Sequence, residues 1–237
     1  MAGPASAGEP DRQALIEEAA ASLSHPLTRM LLVLTFTTGL VDGVSYLGIG
    51  HVFTANMTGN IVLLGFGIAG SGGLPVLAPV VSLAAFLLGA GAGGLLAAST
   101  AARPRHHLAL AVTAEILLMA IATAFAAAVA IRPNSLSGDT LIAVLALAMG
   151  VRNATVRKIA VPDMTTTVLT MTLTGLAADA KLFGGSGTGS ARRIAAVGSL
   201  LAGAIAGGLA LKLSIAVPLA AAFALAGIAL LAYRPRR

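Results

Sequence analysis

The sequence predicts an all-α, polytopic helical membrane protein composed of two related halves. Of its 237 residues, 57% are hydrophobic and 10% are charged, whereas soluble domains carry about 25% charged residues. Apolar runs long enough to cross a bilayer recur along the chain. These runs lack the alternation of polar and apolar residues that barrel strands show, so helices are the predicted spans.

The apolar runs also suggest how the chain is divided. We expect a polar cytoplasmic tail at 1–29, a single transmembrane domain at 30–233 and a basic cytoplasmic end at 234–237. Within the tail, residues 11–23 fit either a weak surface helix or a disordered segment. The predicted spans are 30–50, 74–99, 108–131, 140–156, 194–211 and 214–233.

Two further segments, 52–70 and 162–180, are apolar enough to enter the membrane but rich in residues that weaken helices. We predict that both are broken or re-entrant. Irregular backbone at membrane depth is tolerated where it is buried in protein or lines a cavity, and many transporters bind their substrates at such places.

The predicted halves, 30–131 and 138–233, share the order of their motifs. Asp42 in the first half corresponds to Asn153 in the second, because each stands three residues after a glycine and precedes a threonine-rich segment. With three full spans in each half, the halves would lie antiparallel in the membrane. The sequence therefore predicts a 3+3 inverted repeat, the plan of many secondary transporters.

The basic residues predict the orientation. Six spans place twelve Lys and Arg residues on one side and two on the other, whereas eight spans divide the same residues nine to five. The positive-inside rule favours six spans with both termini cytoplasmic, and eight remains the alternative. The twelve are Arg12, Arg29, Arg103, Arg105, Arg157, Lys158, Lys181, Arg192, Arg193, Arg234, Arg236 and Arg237.

Composition also argues against several classes of function. The net charge of +6 comes from clusters that flank apolar runs, and with no Trp and two Tyr the chain is not expected to bind nucleic acid. No nucleophile and base set is recognisable, so we expect neither an enzyme, nor a cofactor, nor a metal site. The expected partners are the lipid bilayer and a small solute or ion, with a homo-oligomer left open.

Three motifs carry a resemblance to a known family. They are F-T-A-N-M-T-G-N at 53–60, G-V-R-N-A at 150–154 and T-T-T-V-L-T-M-T-L-T-G-L at 165–176. The chain from about residue 30 onward resembles the YoaK-like family of bacterial multi-pass inner-membrane proteins, whose function is not established. The resemblance implies a bacterial inner-membrane location and supplies no reaction. Met171 departs from the glycine expected there, which puts a tight backbone approach at that position in doubt.

The candidate site centres on Asp42, the only formally charged residue between Arg29 and Arg103. Acids inside membrane segments are rare and often functional, so Asp42 fits a proton or cation site. The structural alternative is a buried acid that is paired with Arg152 or capped by hydroxyls and so holds the halves together. The residues predicted to bind a solute or ion are Asp42, Thr54, Asn56, Thr58, Gly59, Asn60, Arg152, Asn153, Thr166, Thr167 and Thr170.

Other polar residues receive structural predictions. Glu115 is expected to reach the lipid headgroups, and Pro162 with Asp163 is expected to begin a helix. Thr165, Thr172 and Thr174 complete the second threonine patch. Buried hydroxyls and amides can also simply satisfy one another and the broken backbone.

Two functional hypotheses follow from these residues. The leading one is a small-solute or ion transporter whose pocket lies between segments 54–60 and 165–174. The alternative is a non-transporting scaffold or sensor whose polar contacts only lock the helices together.

Cysteine accessibility distinguishes six spans from eight. A cysteine at Ser71 should react with a membrane-impermeant thiol reagent from outside the cell, because the six-span arrangement returns segment 52–70 to the side that it entered. A cysteine at Ser186 should react only from the cytoplasm. Cytoplasmic labelling at position 71 would contradict the six-span arrangement.

Overall fold

A computed structural model describes residues 9–101, 103–164, 166–167 and 169–233. Within these ranges the chain forms helices and connecting segments, without strands. The α-helices are α1 Glu9–Ala21, α2 Pro26–Val44, α3 Met57–Ile68, α4 Leu77–Ser99, α5 Pro104–Ala128, α6 Leu136–Ile159, α7 Thr170–Ala178, α8 Ser190–Ala210 and α9 Ala216–Ala232. A π-helical stretch, Ser45–Gly50, continues α2, and a 3₁₀ turn, Lys181–Phe183, follows α7.

Among the described residues, five helices are long and apolar enough to cross a membrane. They are α2 with its π-helical extension, α4, α5, α6 and α8. Helix α9 has 17 residues and α3 has 12, so both are shorter. The five helices correspond to five of the six predicted spans, and α9 occupies the position of the sixth.

Local sequence explains where the two central helices begin. The imidazole of His25 accepts a hydrogen bond from the N–H of Leu27, and Pro26 occupies the first turn of α2, where its missing N–H costs nothing. Ser135 caps α6 by accepting a hydrogen bond from the N–H of Gly138.

Both predicted broken segments contain a non-helical stretch followed by a short helix. The helical path from α2 ends at Gly50, His51 adopts a left-handed backbone conformation, and α3 begins only at Met57. In the second half, Ala160 is left-handed after α6, and α7 begins at Thr170. We call the stretches 51–56 and 160–169 the first and second breaks.

The two central helices, α2 and α6, run antiparallel. The side chain of Ile49, at the end of α2, lies against Gly138 at the start of α6. Arg152, near the end of α6, donates to the carbonyl of Leu34 in the first half of α2. Ala78, at the start of α4, also lies beside Gly50, so the chain leaves and re-enters the bundle at the same end around α3.

Each central helix packs closely on a helix from the other half of the sequence. In α2, Gly39 faces the backbone of α8 around Gly203, where any Cβ would collide with backbone atoms. In α6, Gly150 faces the backbone of α4 around Gly89 with the same constraint. Glycine allows these close backbone approaches between helices. The two halves therefore pack on each other at two places, through α2 on α8 and through α6 on α4.

Of the two expectations for the N-terminal tail, the structure has the helix. Helix α1 packs against the start of α2: Thr28 donates to the carbonyl of Ala19 over 2.7 Å, and both side chains are buried. The predicted basic residues Arg234, Arg236 and Arg237, and the side chain of Arg12, lie outside the described parts of the structure.

A glycine pair on α8 tests the close packing. Gly203→Ala should lower the free energy of unfolding in detergent by about 1–3 kcal/mol, because the added Cβ meets the carbonyl of Phe36. Gly198→Ala is the matched control, since a Cβ there meets no atom within 4 Å and alanine favours helix. Equal stability of the two variants would contradict the α2–α8 contact.

Candidate functional site

Asp42 holds the first break in place. One carboxylate oxygen, Oδ1, accepts hydrogen bonds from the backbone N–H groups of Thr54 and Ala55, each over 3.0 Å. The hydroxyl of Thr54 donates to the same oxygen over 3.3 Å. Backbone N–H groups that lie outside a helix in an apolar interior have no helical acceptor, so they need such partners. Asp42 is itself partly accessible, whereas Thr54 is fully buried.

Two buried side chains fix Phe53, the residue before this contact. Asn60 accepts from the N–H of Phe53 over 2.8 Å and donates to its carbonyl over 2.6 Å. Asn60 also donates to the hydroxyl of Ser82, which itself donates to the Phe53 carbonyl over 2.7 Å. Ser82 was missed by the sequence analysis. The feature that could have indicated it is a single hydroxyl inside the apolar run of α4.

The other predicted residues of this segment have local roles. Asn56 caps α3 by accepting from the N–H of Gly59 over 3.3 Å. A Cβ on Gly59 would collide with the ring of Phe53, so the glycine leaves the space that this ring occupies. Thr58 is exposed on the first turn of α3.

The second break is held by Asn153. Its Oδ1 accepts from the hydroxyl of Thr167 over 2.6 Å, and its Nδ2 donates to the carbonyl of Met149 over 2.8 Å. Thr166 is buried in a left-handed conformation, with φ of 60°, and its hydroxyl has no hydrogen-bond partner within the described ranges. Thr170 is exposed at the start of α7. Thr165 lies outside the described residues.

Asp42 and Asn153 play corresponding parts. Each side chain lies on a central helix and accepts a hydrogen bond from a threonine in the break that follows. The second contact is weaker in kind, because a neutral amide takes the place of a carboxylate.

Two predictions about charged residues are wrong, the Asp42–Arg152 pair and the placement of Glu115 at the headgroups. Arg152 binds Glu115, not Asp42: its Nε donates to Oε2 over 2.9 Å, and its Nη2 donates to Oε1. Glu115 has no exposed surface and so does not reach the headgroups. The antiparallel arrangement of α2 and α6 explains the difference, since it places Arg152 beside Thr38 and Leu34, about one and two turns before Asp42.

The remaining donors of Arg152 all go to α2. Nη1 binds the Leu34 carbonyl over 2.6 Å and the Thr38 hydroxyl over 2.7 Å, and Nη2 binds the Thr37 hydroxyl over 2.9 Å. The guanidinium thus joins α2, α5 and α6 at one point. Its donors are committed to protein, so it offers little to a ligand in this conformation.

Ion pairs tie the second break and the residue after α7 to α8. Contrary to the prediction, Asp163 does not begin a helix. It forms ion pairs of 3.0 Å with both Arg192 and Arg193. Arg193 also pairs with Asp179 after α7 over 2.8 Å, and Arg192 donates to the carbonyl of Ala20 in α1. The N-terminal end of α8 therefore connects the second break, α7 and α1.

A cavity of about 850 Å³ lies between α4, α6 and the second break. Asn153 and Thr167 line it, as do Arg157 and Lys158. None of its described lining residues comes from segment 54–60, so this cavity is not the predicted pocket between both breaks. Among the described residues, no three His, Asp or Glu side chains converge to hold a metal ion.

Comparison with known proteins supports the membrane assignment. The family model for "Protein of unknown function (DUF1275)" matches residues 30–232. The UPF0700 transmembrane protein YoaK of Bacillus subtilis (strain 168) is 34% identical over 151 residues, which cover 63% of this chain and 65% of YoaK. No solved structure matches the chain. The similarity confirms the YoaK-like resemblance, and together with the apolar helices it identifies a multi-pass membrane protein.

The burial of the Arg152–Glu115 pair can be tested by comparing the loss of one partner with the loss of both. Arg152→Met should lower the free energy of unfolding by about 3–5 kcal/mol, because Glu115 would remain buried without a counter-ion. The double variant with Glu115→Leu should recover much of this loss, because no charge is then buried. Chemical unfolding in detergent micelles measures both.

Arg157→Met is the matched control, since Arg157 is an exposed cation on the same helix. If Arg152→Met cost no more than this control, or if the double variant were the least stable protein, the proposed burial of the pair would be contradicted.

Proposed function

The chain belongs to the DUF1275 family, and we propose that it transports a small solute or ion across the bacterial inner membrane. The observation that carries the proposal is the pair of breaks at corresponding positions, each bound by a polar side chain of a central helix. Broken helices at matching places in two halves are typical of secondary transporters, where backbone freed from a helix can contact substrate.

We further propose that the halves are inverted repeats. The antiparallel central helices support this idea, as does the exchange of packing partners between α2–α8 and α6–α4. The end of the bundle that holds the start of α2 and the end of α6 also carries most of the described basic residues, including Arg29 and Arg157. The positive-inside rule makes that end cytoplasmic, with both termini on the same side.

Within this proposal the second break supplies the binding site. In the first break, Asp42, Asn60 and Ser82 bind polar groups of residues 53–55. The second break has a buried hydroxyl on Thr166 that finds no partner in the described part of the chain, and it borders the cavity through Thr167. A segment with unsatisfied polar groups costs less to rearrange around a ligand than one whose groups are all paired.

Asp42 is the coupling or gating charge in this mechanism. Its carboxylate accepts charge-assisted hydrogen bonds from Thr54 and Ala55, and protonation would weaken them. Proton binding would then release the first break from α2. Arg152 has a different part: with Glu115 it keeps α2, α5 and α6 together while the breaks move.

The alternative function, a scaffold or sensor without transport, is favoured by a specific observation. Asp42, Asn60 and Arg152 direct their described hydrogen bonds to protein groups. Such contacts stabilise helix packing whether or not a solute crosses the membrane.

Flux measurements test transport and the part of Asp42. Purified protein in liposomes, screened for proton-coupled uptake, should show a flux that Asp42→Asn reduces by about tenfold or more, because an amide cannot exchange the proton. Glu17→Gln, which alters an exposed acid of α1, should leave that flux unchanged. A flux that is equal in wild type and Asp42→Asn would remove the coupling role.

A thermal-shift screen separates the two functions. Transport predicts that a solute stabilises the wild type and that Asn153→Ala, which changes a residue of the cavity lining and the anchor of Thr167, reduces this gain. The scaffold predicts that Asp42→Asn and Asn56→Ala only lower the folded yield, with no solute-dependent change in any variant.

A further inference from the structure

We propose that the cavity between α4, α6 and the second break binds an organic anion with an apolar body, such as a carboxylate or phosphate on a short alkyl chain. As the substrate class of a transporter, this inference rests on the proposed function. As a binding site, it stands on the cavity itself, and the two can be tested separately.

Charge gives the sign of the ligand. Arg157 and Lys158 line the cavity, and its described lining includes no Asp or Glu. The ion pairs that the described part of the chain forms do not involve Arg157. By contrast, Arg152, Arg192 and Arg193 are each paired with a carboxylate. An anion in the cavity would bring a negative charge that no Asp or Glu of the described lining supplies.

The position of these cations has a second effect. Arg157 and Lys158 stand in the last turn of α6, where cations interact favourably with the helix dipole. This accounts for two basic residues at a helix end. It does not account for a cavity beside them, which a helix end does not require.

The wall opposite the cations gives the shape of the ligand. Helix α4 contributes Phe86, Ala90, Gly94, Ala97 and Ala98, which are apolar and mostly small. Small side chains leave room, and a Cβ on Gly94 would meet no atom within 4 Å. A volume of about 850 Å³ lies in the range of about 300–1,000 Å³ that small-molecule sites occupy. An apolar chain fits against this wall.

A polar group at the second break can orient the anion. An amide NH₂ has two hydrogens, and Asn153 uses its Nδ2 group to donate to the Met149 carbonyl. The other hydrogen can donate to an anion held by Arg157 and Lys158. Ligand binding would thereby reach the side chain that anchors the second break through Thr167.

The chain contains no tryptophan, so one introduced indole can report binding. Phe86→Trp places it in the cavity wall. In phosphatidylcholine nanodiscs, octanoate should change the emission saturably, while octanol and octyltrimethylammonium should not. Arg157→Gln and Lys158→Gln should each weaken octanoate binding roughly five- to tenfold. Arg132→Gln, a cation at the other end of the bundle, should have no effect.

Two glycines of α4 form a matched pair for the shape of the site. Gly94→Leu should abolish the response by filling the cavity, whereas Gly91→Leu should preserve it, because both positions have open space but only Gly94 lines the cavity. Octanoate should also raise the melting temperature of protein without the indole, which keeps the test valid if Phe86→Trp folds poorly. Equal responses in the two glycine variants, or to octanoate and octyltrimethylammonium, would overturn the site.

Further arms identify the source of the anion and separate the two proposals. If phosphatidylglycerol in the nanodisc displaces octanoate, the natural occupant is a lipid headgroup, and if it does not, the occupant is a free anion. Octanoate binding without any flux would contradict transport and leave the anion site standing. Flux of a cation or neutral solute that Gly94→Leu leaves unchanged would contradict an organic anion as the transported substrate and leave transport standing.

Discussion

The buried guanidinium of Arg152 is the constraint on which the arrangement of the central helices depends. A cation in an apolar interior must be neutralised and must satisfy all its donors, or it costs several kcal/mol. Glu115 supplies the charge from α5, while Leu34, Thr37 and Thr38 supply acceptors from α2. Because these partners come from two helices at fixed heights, the ion sets the register of α2 and α5 against α6. Thr37 and Thr38 of α2 thus bind the guanidinium of Arg152, a cation of the protein itself.

Around this fixed point the two breaks are held with unequal strength. The first is bound by a carboxylate and is reinforced by Asn60 and Ser82, whereas the second is bound by a neutral amide. Thr166 retains a strained backbone and a hydroxyl that is unpaired among the described residues. A strained backbone persists only where the surroundings enforce it. Arg192 and Arg193 provide that enforcement through Asp163. The second break is therefore restrained from outside, by ion pairs with α8, more than by its own contacts.

Sequence reasoning located these features but not all their partners. Local patterns revealed the apolar helices, both breaks and the importance of Asp42 and Asn153, because glycine, threonine and proline act on the backbone near them. The pairing of Arg152 could not be read in the same way. Its partner stands 37 residues away on another helix, and the choice between Glu115 and Asp42 depends on how the helices are rotated and aligned. Ser82 was missed for a related reason, since a single hydroxyl in an apolar helix has no pattern of its own. The cavity forms where α4, α6 and the second break meet, and no short motif encodes that meeting.

The exchange of partners between the halves has a consequence for synthesis of the protein. Helix α2 leaves the ribosome early, yet the backbone surface that its Gly39 requires belongs to α8, near the other end of the chain. Until α8 is inserted, α2 presents an uncovered glycine face, although α6 can already associate with α2, α4 and α5. Neither half can reach its final packing alone, so a truncated chain would leave a helix without its counterpart. The mature bundle is therefore completed late, in a step that joins the first helix of the domain to one of the last.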